Sequence, residues 1–137
     1  MKMFALQVLT VALAAQAAAA AAQEKRATFS GVSAVRIANY GSPSVLLQSR
    51  DQVAPVVSEL NGLAKKSWRR GDIKLACYST IVLLKGTKQV GQLRVTADHV
   101  VERPVEKSQT SYSLPIGEAE IPRLRKILAE ILPPKCE

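Results

Sequence analysis

The chain has 137 residues, and its 19 Lys and Arg against 11 Asp and Glu give a net charge near +8 with the one His neutral. That length suits one ordinary domain with a two-layer core, and the cationic excess favours anionic partners without bearing on the fold. Two Cys, one His and seven scattered Gly exclude a clustered soft-ligand metal centre and a phosphate-cradling glycine loop.

Residues 1–22 read as a secretory leader. Lys2 supplies a positive start, residues 4–15 are almost wholly apolar, and the alanines of 17–22 offer small-x-small cleavage sites before Gln23 and Glu24. This alanine-rich run is a weaker membrane span than ~20 strongly apolar residues, so cleavage is expected rather than anchoring. No cysteine stands near the cleavage region, which argues against a lipidated start. The mature chain keeps about 115 residues and a charge of about +7, because the leader removes Lys2 and no acid. An exported protein follows, in a bacterial periplasm or outside the cell. In that oxidising setting Cys77 and Cys136 are expected to form one disulfide. Closing a loop of about 60 residues would stabilise the fold by roughly 4 kcal/mol on chain-entropy grounds.

Residues 23–31 are polar and expected to be a flexible lead-in, and 32–137 to be a single domain. Val35 and Ile37 alternate with Arg36 and Ala38, the period of a half-buried strand over 32–40. Gly41 and Pro43 mark a turn, and 44–48 reads as the second strand of a hairpin. A helix follows, capped by Ser49 or Asp51, with Pro55 tolerable only near its first turn. Val53, Val56, Val57 and Leu60 form its apolar stripe, and Asn61-Gly62 is the expected stop.

Residues 73–84 alternate Ile73, Leu75, Cys77, Ile81 and Leu83 on one side against Lys74, Tyr78, Thr80, Val82 and Leu84, which predicts one long strand. A turn at 85–88 leads to a strand over 90–96, with Leu93 and Val95 inward and Gln92, Arg94 and Thr96 outward. Further strands are expected over 99–103 and 111–116, the latter at an edge or strand end because of Pro115. The last helix has Glu118 and Glu120 at its positive pole and Pro122 in its first turn. Ile121, Leu124, Ile127, Leu128 and Ile131 form its buried stripe, and Arg123, Arg125, Lys126 and Glu130 its wet side. The order ββαββββα predicts an α+β two-layer sandwich, a mostly antiparallel sheet with both helices on one face. Cys77 would then lie where the tail of a helix packed on that face arrives.

Catalytic constellations are poor. His99 is the only imidazole, so a hydrolase would depend on it alone, and no Gly-x-Ser-x-Gly elbow accompanies it. Asp98 and His99 would point to opposite faces of a strand and could not share an ion. The remaining carboxylates stand near turns and helix starts, where solvated or capping roles are usual. No cofactor or metal is expected, and the domain reads as non-catalytic. Arg70-Gly71-Asp72 spells an adhesion tripeptide, but Gly71 and Asp72 have the simpler duty of turning the chain into the next strand.

The conspicuous stretch is 64–72, where Lys65, Lys66, Arg69 and Arg70 surround the only Trp, Trp68. One reading makes it a soluble elbow, its indole folded over the core edge. The other makes it a grip on an anionic partner, by cation–π contact or as an interface hot spot, with Lys74 joining it. Arg36 and Arg94 would add a second cationic set on an uncovered sheet face. The expected partner is a macromolecule, an acidic protein or an anionic envelope component such as a lipid surface or polymer. Nucleic acid is disfavoured by the few aromatics available for stacking.

Overall fold

A computed structural model of the chain describes residues 23–39, 43–71, 73–75, 77–105, 110–117 and 119–131. The leader segment, the 40–42 turn residues, Asp72, Glu118 and Cys136 lie outside the described residues. The strands are β1 (Gln23–Glu24), β2 (Ala34–Asn39), β3 (Val45–Leu47), β4 (Trp68–Arg70), β5 (Ser79–Lys85), β6 (Lys88–Val95), β7 (His99–Arg103) and β8 (Tyr112–Pro115). The helices are α1 (Arg50–Leu63) and α2 (Pro122–Ile131). All eight strands join one sheet in the order β1-β4-β8-β7-β6-β5-β2-β3, every neighbouring pair antiparallel.

This is the α+β class that the alternation predicts, with two departures in element order. β1 and β4 are additional short strands, and the long strand over 73–84 is not continuous. Regular pairing starts only at Ser79, and the described residues of 73–78 form an irregular connection.

One face carries the core. Val35, Ile37, Ile81, Leu83, Leu93, Val95 and Val100 of the sheet share a buried cluster with Val53, Val56, Leu60 and Leu63 of α1 and Leu124 and Leu128 of α2. The Asn39 side-chain amide donates to the Leu128 carbonyl at 3.4 Å, tying α2 to the same face. Removing that apolar surface from water is the main stabilising term, about 25 cal/mol per Å².

Ser49 caps α1, its hydroxyl accepting from the Gln52 amide at 3.3 Å. The helix does not stop at Asn61-Gly62 but runs to Leu63. Asn61 instead tethers the amino-terminal stretch. Its side chain accepts from the Phe29 amide at 2.7 Å and donates to the Phe29 carbonyl at 3.0 Å. The expected flexible lead-in is therefore seated. β1 pairs with β4, the Arg26 amide donates to the Ala64 carbonyl at 2.9 Å, and Phe29 packs on the core.

α2 begins as its sequence predicts, at Pro122, but Arg125 is not on its wet side. Half-buried, the Arg125 guanidinium donates to the carbonyls of Glu120, Thr96, Ala97 and Gly117 at 2.8–3.4 Å, locking the helix start to the β6–β7 turn.

The chain path accounts for the second face. β3, β4 and β5 run parallel to one another, so both β3–α1–β4 and β4–β5 are crossovers, travelling in opposite directions along the sheet. Crossovers of one hand in opposite directions must use opposite faces. Helix α1 takes the core face, so a common hand puts the β4–β5 connection, the strap whose described residues are 71, 73–75, 77 and 78, on the other. Val101, pointing to that second face, is accordingly fully buried, and Tyr78 at the end of the strap lies under Arg94.

Candidate cationic binding surface

Residues paired across antiparallel strands project to the same side of a sheet. One rung of the second face runs Leu46, Arg36, Val82, Gln92, Arg103 through β3, β2, β5, β6 and β7. The next runs Ala38, Thr80, Arg94, Val101, Ser113, Arg69 through β2, β5, β6, β7, β8 and β4. Four arginines from four strands therefore share the face opposite the two described helices. Val101 is fully buried between them, with Arg36, Val82, Gln92 and Arg103 towards one side and Arg69 towards the other.

Within the open part Arg36 is exposed, Gln92, Val82 and Arg103 are half-buried, and Leu46 presents 44 % of its surface. Arg94 is held more tightly. Its guanidinium lies 4.5 Å above the Tyr78 ring, and its Nε is buried with no hydrogen-bond partner among the described residues. Gln92 and Gln89 join by a 3.3 Å side-chain bond along the rim. The surface is thus cationic with an apolar side chain beside Arg36, the mixture found at protein interfaces more than on simple polyanion binders.

The stretch 64–72 does not form one patch. Trp68 is 2 % exposed, and its Nε1 donates to the Leu63 carbonyl at 2.8 Å, closing the end of α1. Its indole is core and cannot grip a partner. Lys65 and Lys66 are exposed on the turn after α1, where Lys66 pairs with Glu120. Arg69 points to the second face and Arg70, one residue on, to the opposite side, paired with Tyr112. Lys74 is exposed on the strap. Of the predicted binding residues, Arg36 and Arg94 are brought together, with Lys74 on the strap that borders their part of the face.

His99 opens β7, but Asp98 belongs to the turn before it, so the two are not on opposite faces as strand geometry alone predicts. His99 Nδ1 lies 3.1 Å from Asp98 Oδ1, and the Thr96 hydroxyl donates to the same carboxylate oxygen at 3.0 Å. These two hydrogen bonds, His99 first, lower the Asp98 pKa below its ordinary 3.8. No serine or cysteine hydrogen-bonds the His99 ring among the described residues. Cys77, half-buried, lines a cavity of about 430 Å³ with Leu128 and Ala129 of α2. Its predicted partner Cys136 lies outside the described residues.

Several functional candidates escape a local reading. Arg26 forms a bidentate pair with Glu102, Nη2 to Oε1 at 2.9 Å and Nε to Oε2 at 3.1 Å, and lies 3.7 Å over the Tyr112 ring. One signal does exist: Glu102 alternates with Val100 on the core side of β7, and an inward carboxylate requires a cation. Nothing in the sequence names Arg26 as that cation, 76 residues away.

No protein-family model, curated protein or solved structure matches this chain.

Proposed function

We propose that the chain is a small exported, non-catalytic domain that binds an acidic protein through the second face of its sheet, as an inhibitor or accessory factor. The observation that supports this most is the rung joining Leu46, Arg36, Val82, Gln92 and Arg103: two arginines and an exposed leucine on the face opposite the two described helices. Electrostatic complementarity of this kind speeds encounter and fixes register, while a small apolar anchor slows release. The leader-like residues 1–22 and a Cys77–Cys136 staple belong to the same reading, which sets the domain in an oxidising compartment.

The test is capture from an envelope extract by the mature, oxidised protein, followed by titration of the purified, identified partner. Arg36→Glu with Leu46→Asp should weaken that titration by a hundredfold or more, on the order of 3 kcal/mol, with thermal stability retained. Unchanged affinity would remove the face from the account. An anionic polymer or lipid surface is the competing occupant. It predicts binding that collapses steeply with salt and is indifferent to Leu46.

A further inference from the structure

Alongside α1 runs a groove of about 740 Å³, bounded on its other side by residues 31–33, which lead into β2, and by Gln48 after β3. Its α1 wall is Arg50, Val53, Ala54, Val57, Ser58 and Asn61, the i, i+3, i+4, i+7 spacing of one helical face. From Arg50 to Asn61 that face extends about 16 Å. Val53 is buried at its base, and half-buried Val32 and Val57 pack on the core while lining the groove. The groove flanks α1 and shares no lining residue with the arginine rungs of the second face.

We propose that this groove binds one long-chain fatty acid, its acyl chain along the valines and its carboxylate on Arg50. Arg50 is the one charged side chain among the described lining residues, and it stands at one end of the helical face. Its guanidinium has no hydrogen bond or ion pair among the described residues. The first position of a helix disfavours a cation, because the positive pole of the dipole lies there, so Arg50 adds nothing to the stability of α1. Asp51, the acid beside it, is not among the described lining residues. A planar guanidinium fork matches the two oxygens of a carboxylate. A single cation also balances the one charge of a carboxylate better than the near-double charge of a phosphate monoester. At the far end the Asn61 side chain is engaged by the Phe29 backbone in both directions, and the Ser33 hydroxyl bonds to the Leu84 carbonyl and the Gly86 amide. The strongest polar anchor is therefore Arg50, with Val32, Val53, Ala54 and Val57 offering apolar surface beyond it. The volume falls within the range usual for sites that take a small apolar ligand.

Titration calorimetry of the mature, oxidised protein with laurate, kept below its micelle concentration, tests the proposal. Monolaurin supplies the same chain on an uncharged head. Ala54 and Arg50 are both exposed, so substitutions there spare the core, and circular dichroism melts check that each variant folds. Ala54→Phe puts a ring into the groove and should weaken laurate at least about tenfold. Unspecific adsorption would instead rise with the added apolar surface. Arg50→Gln should weaken laurate at least about tenfold and leave monolaurin within a few-fold of wild type. No laurate binding, laurate binding by either variant equal to wild type, or equal loss of both probes in Arg50→Gln overturns the proposal. A wild-type dimer that Ala54→Phe converts to a monomer assigns the groove to a second copy of the chain and overturns it as well. Arg36→Glu with Leu46→Asp should leave laurate binding unaffected, so failure of the groove and failure of the protein-binding face give different results.

Discussion

Glu59 on α1 accepts the backbone amides of Arg123 and Leu124 at 2.8 and 2.9 Å, so the amino end of α2 is capped by a carboxylate from the neighbouring helix. The first amides of a helix have no partner within it, and a negative charge there also meets the positive pole of its dipole. Glu59→Ala should therefore cost about 1–2 kcal/mol in urea unfolding. Amide exchange would accelerate at Arg123 and Leu124 beyond the rest of α2. Uniform exchange across the helix would show that the cap is immaterial.

Phe29 and Gly91 supply a second relationship that mutation can isolate. A Cβ built on Gly91 would lie 2.6 Å from Phe29 Cε1, because the ring rests directly on the β6 backbone. Asn61 holds the Phe29 backbone from both sides, which limits how far the ring can retreat. Gly91→Ala should destabilise by about 1–3 kcal/mol. In a Phe29→Ala background the same change should cost almost nothing, a coupling that a double-mutant cycle reads directly. Additive costs would refute the contact.

Trp68 reports on which reading of the cationic stretch is right. As the only tryptophan it gives an unambiguous fluorescence signal. A core indole bonded to the Leu63 carbonyl should emit at short wavelength, resist iodide quenching, and remain unchanged when a partner binds. Trp68→Ala should cost about 3–5 kcal/mol, the range for deleting a large buried ring. Strong quenching of the native protein by iodide would return the indole to the surface.

The sequence carried the strands and helices whose side chains repeat with a clear period. In β2, β5 and β6 the alternation of buried and outward residues matches the register, and α2 buries Leu124 and Leu128 as its stripe predicts. The strap misled for a physical reason. An extended connection lying on a sheet has one side down and one side up, so Ile73, Leu75 and Cys77 alternate as a strand would without joining the ladder. β4 is three residues long and hidden among cations, and β1 has two, too short for any period to show. The candidate surface was half legible. Arg36 and Arg94 could be placed outward from alternation alone, whereas adding Arg103 and Leu46 required the register. Arg26 and Glu102 depended on a contact across 76 positions, which no local pattern encodes.

Asp98 offers a pH-dependent check of the β6–β7 turn. Its pKa is lowered, chiefly by the hydrogen bond to His99 and then by that to Thr96. A carboxylate depressed in the folded state contributes stability that is present above its ordinary range and is lost as pH falls through the folded value. An NMR titration should therefore place the Asp98 midpoint below 3.8. In His99→Gln the midpoint should move back up. A midpoint insensitive to that substitution would assign the shift to something other than the imidazole.

The most direct measurement of the central claim compares two charge-altered proteins against one purified partner. One carries Arg36→Glu with Leu46→Asp on the open part of the second face; the other carries Lys65→Glu with Arg69→Glu, the lysine on the turn after α1 and the arginine beyond the strap. The account predicts that the first loses affinity by a hundredfold or more while the second binds within a few-fold of wild type. Loss in the second protein with full binding in the first would contradict it.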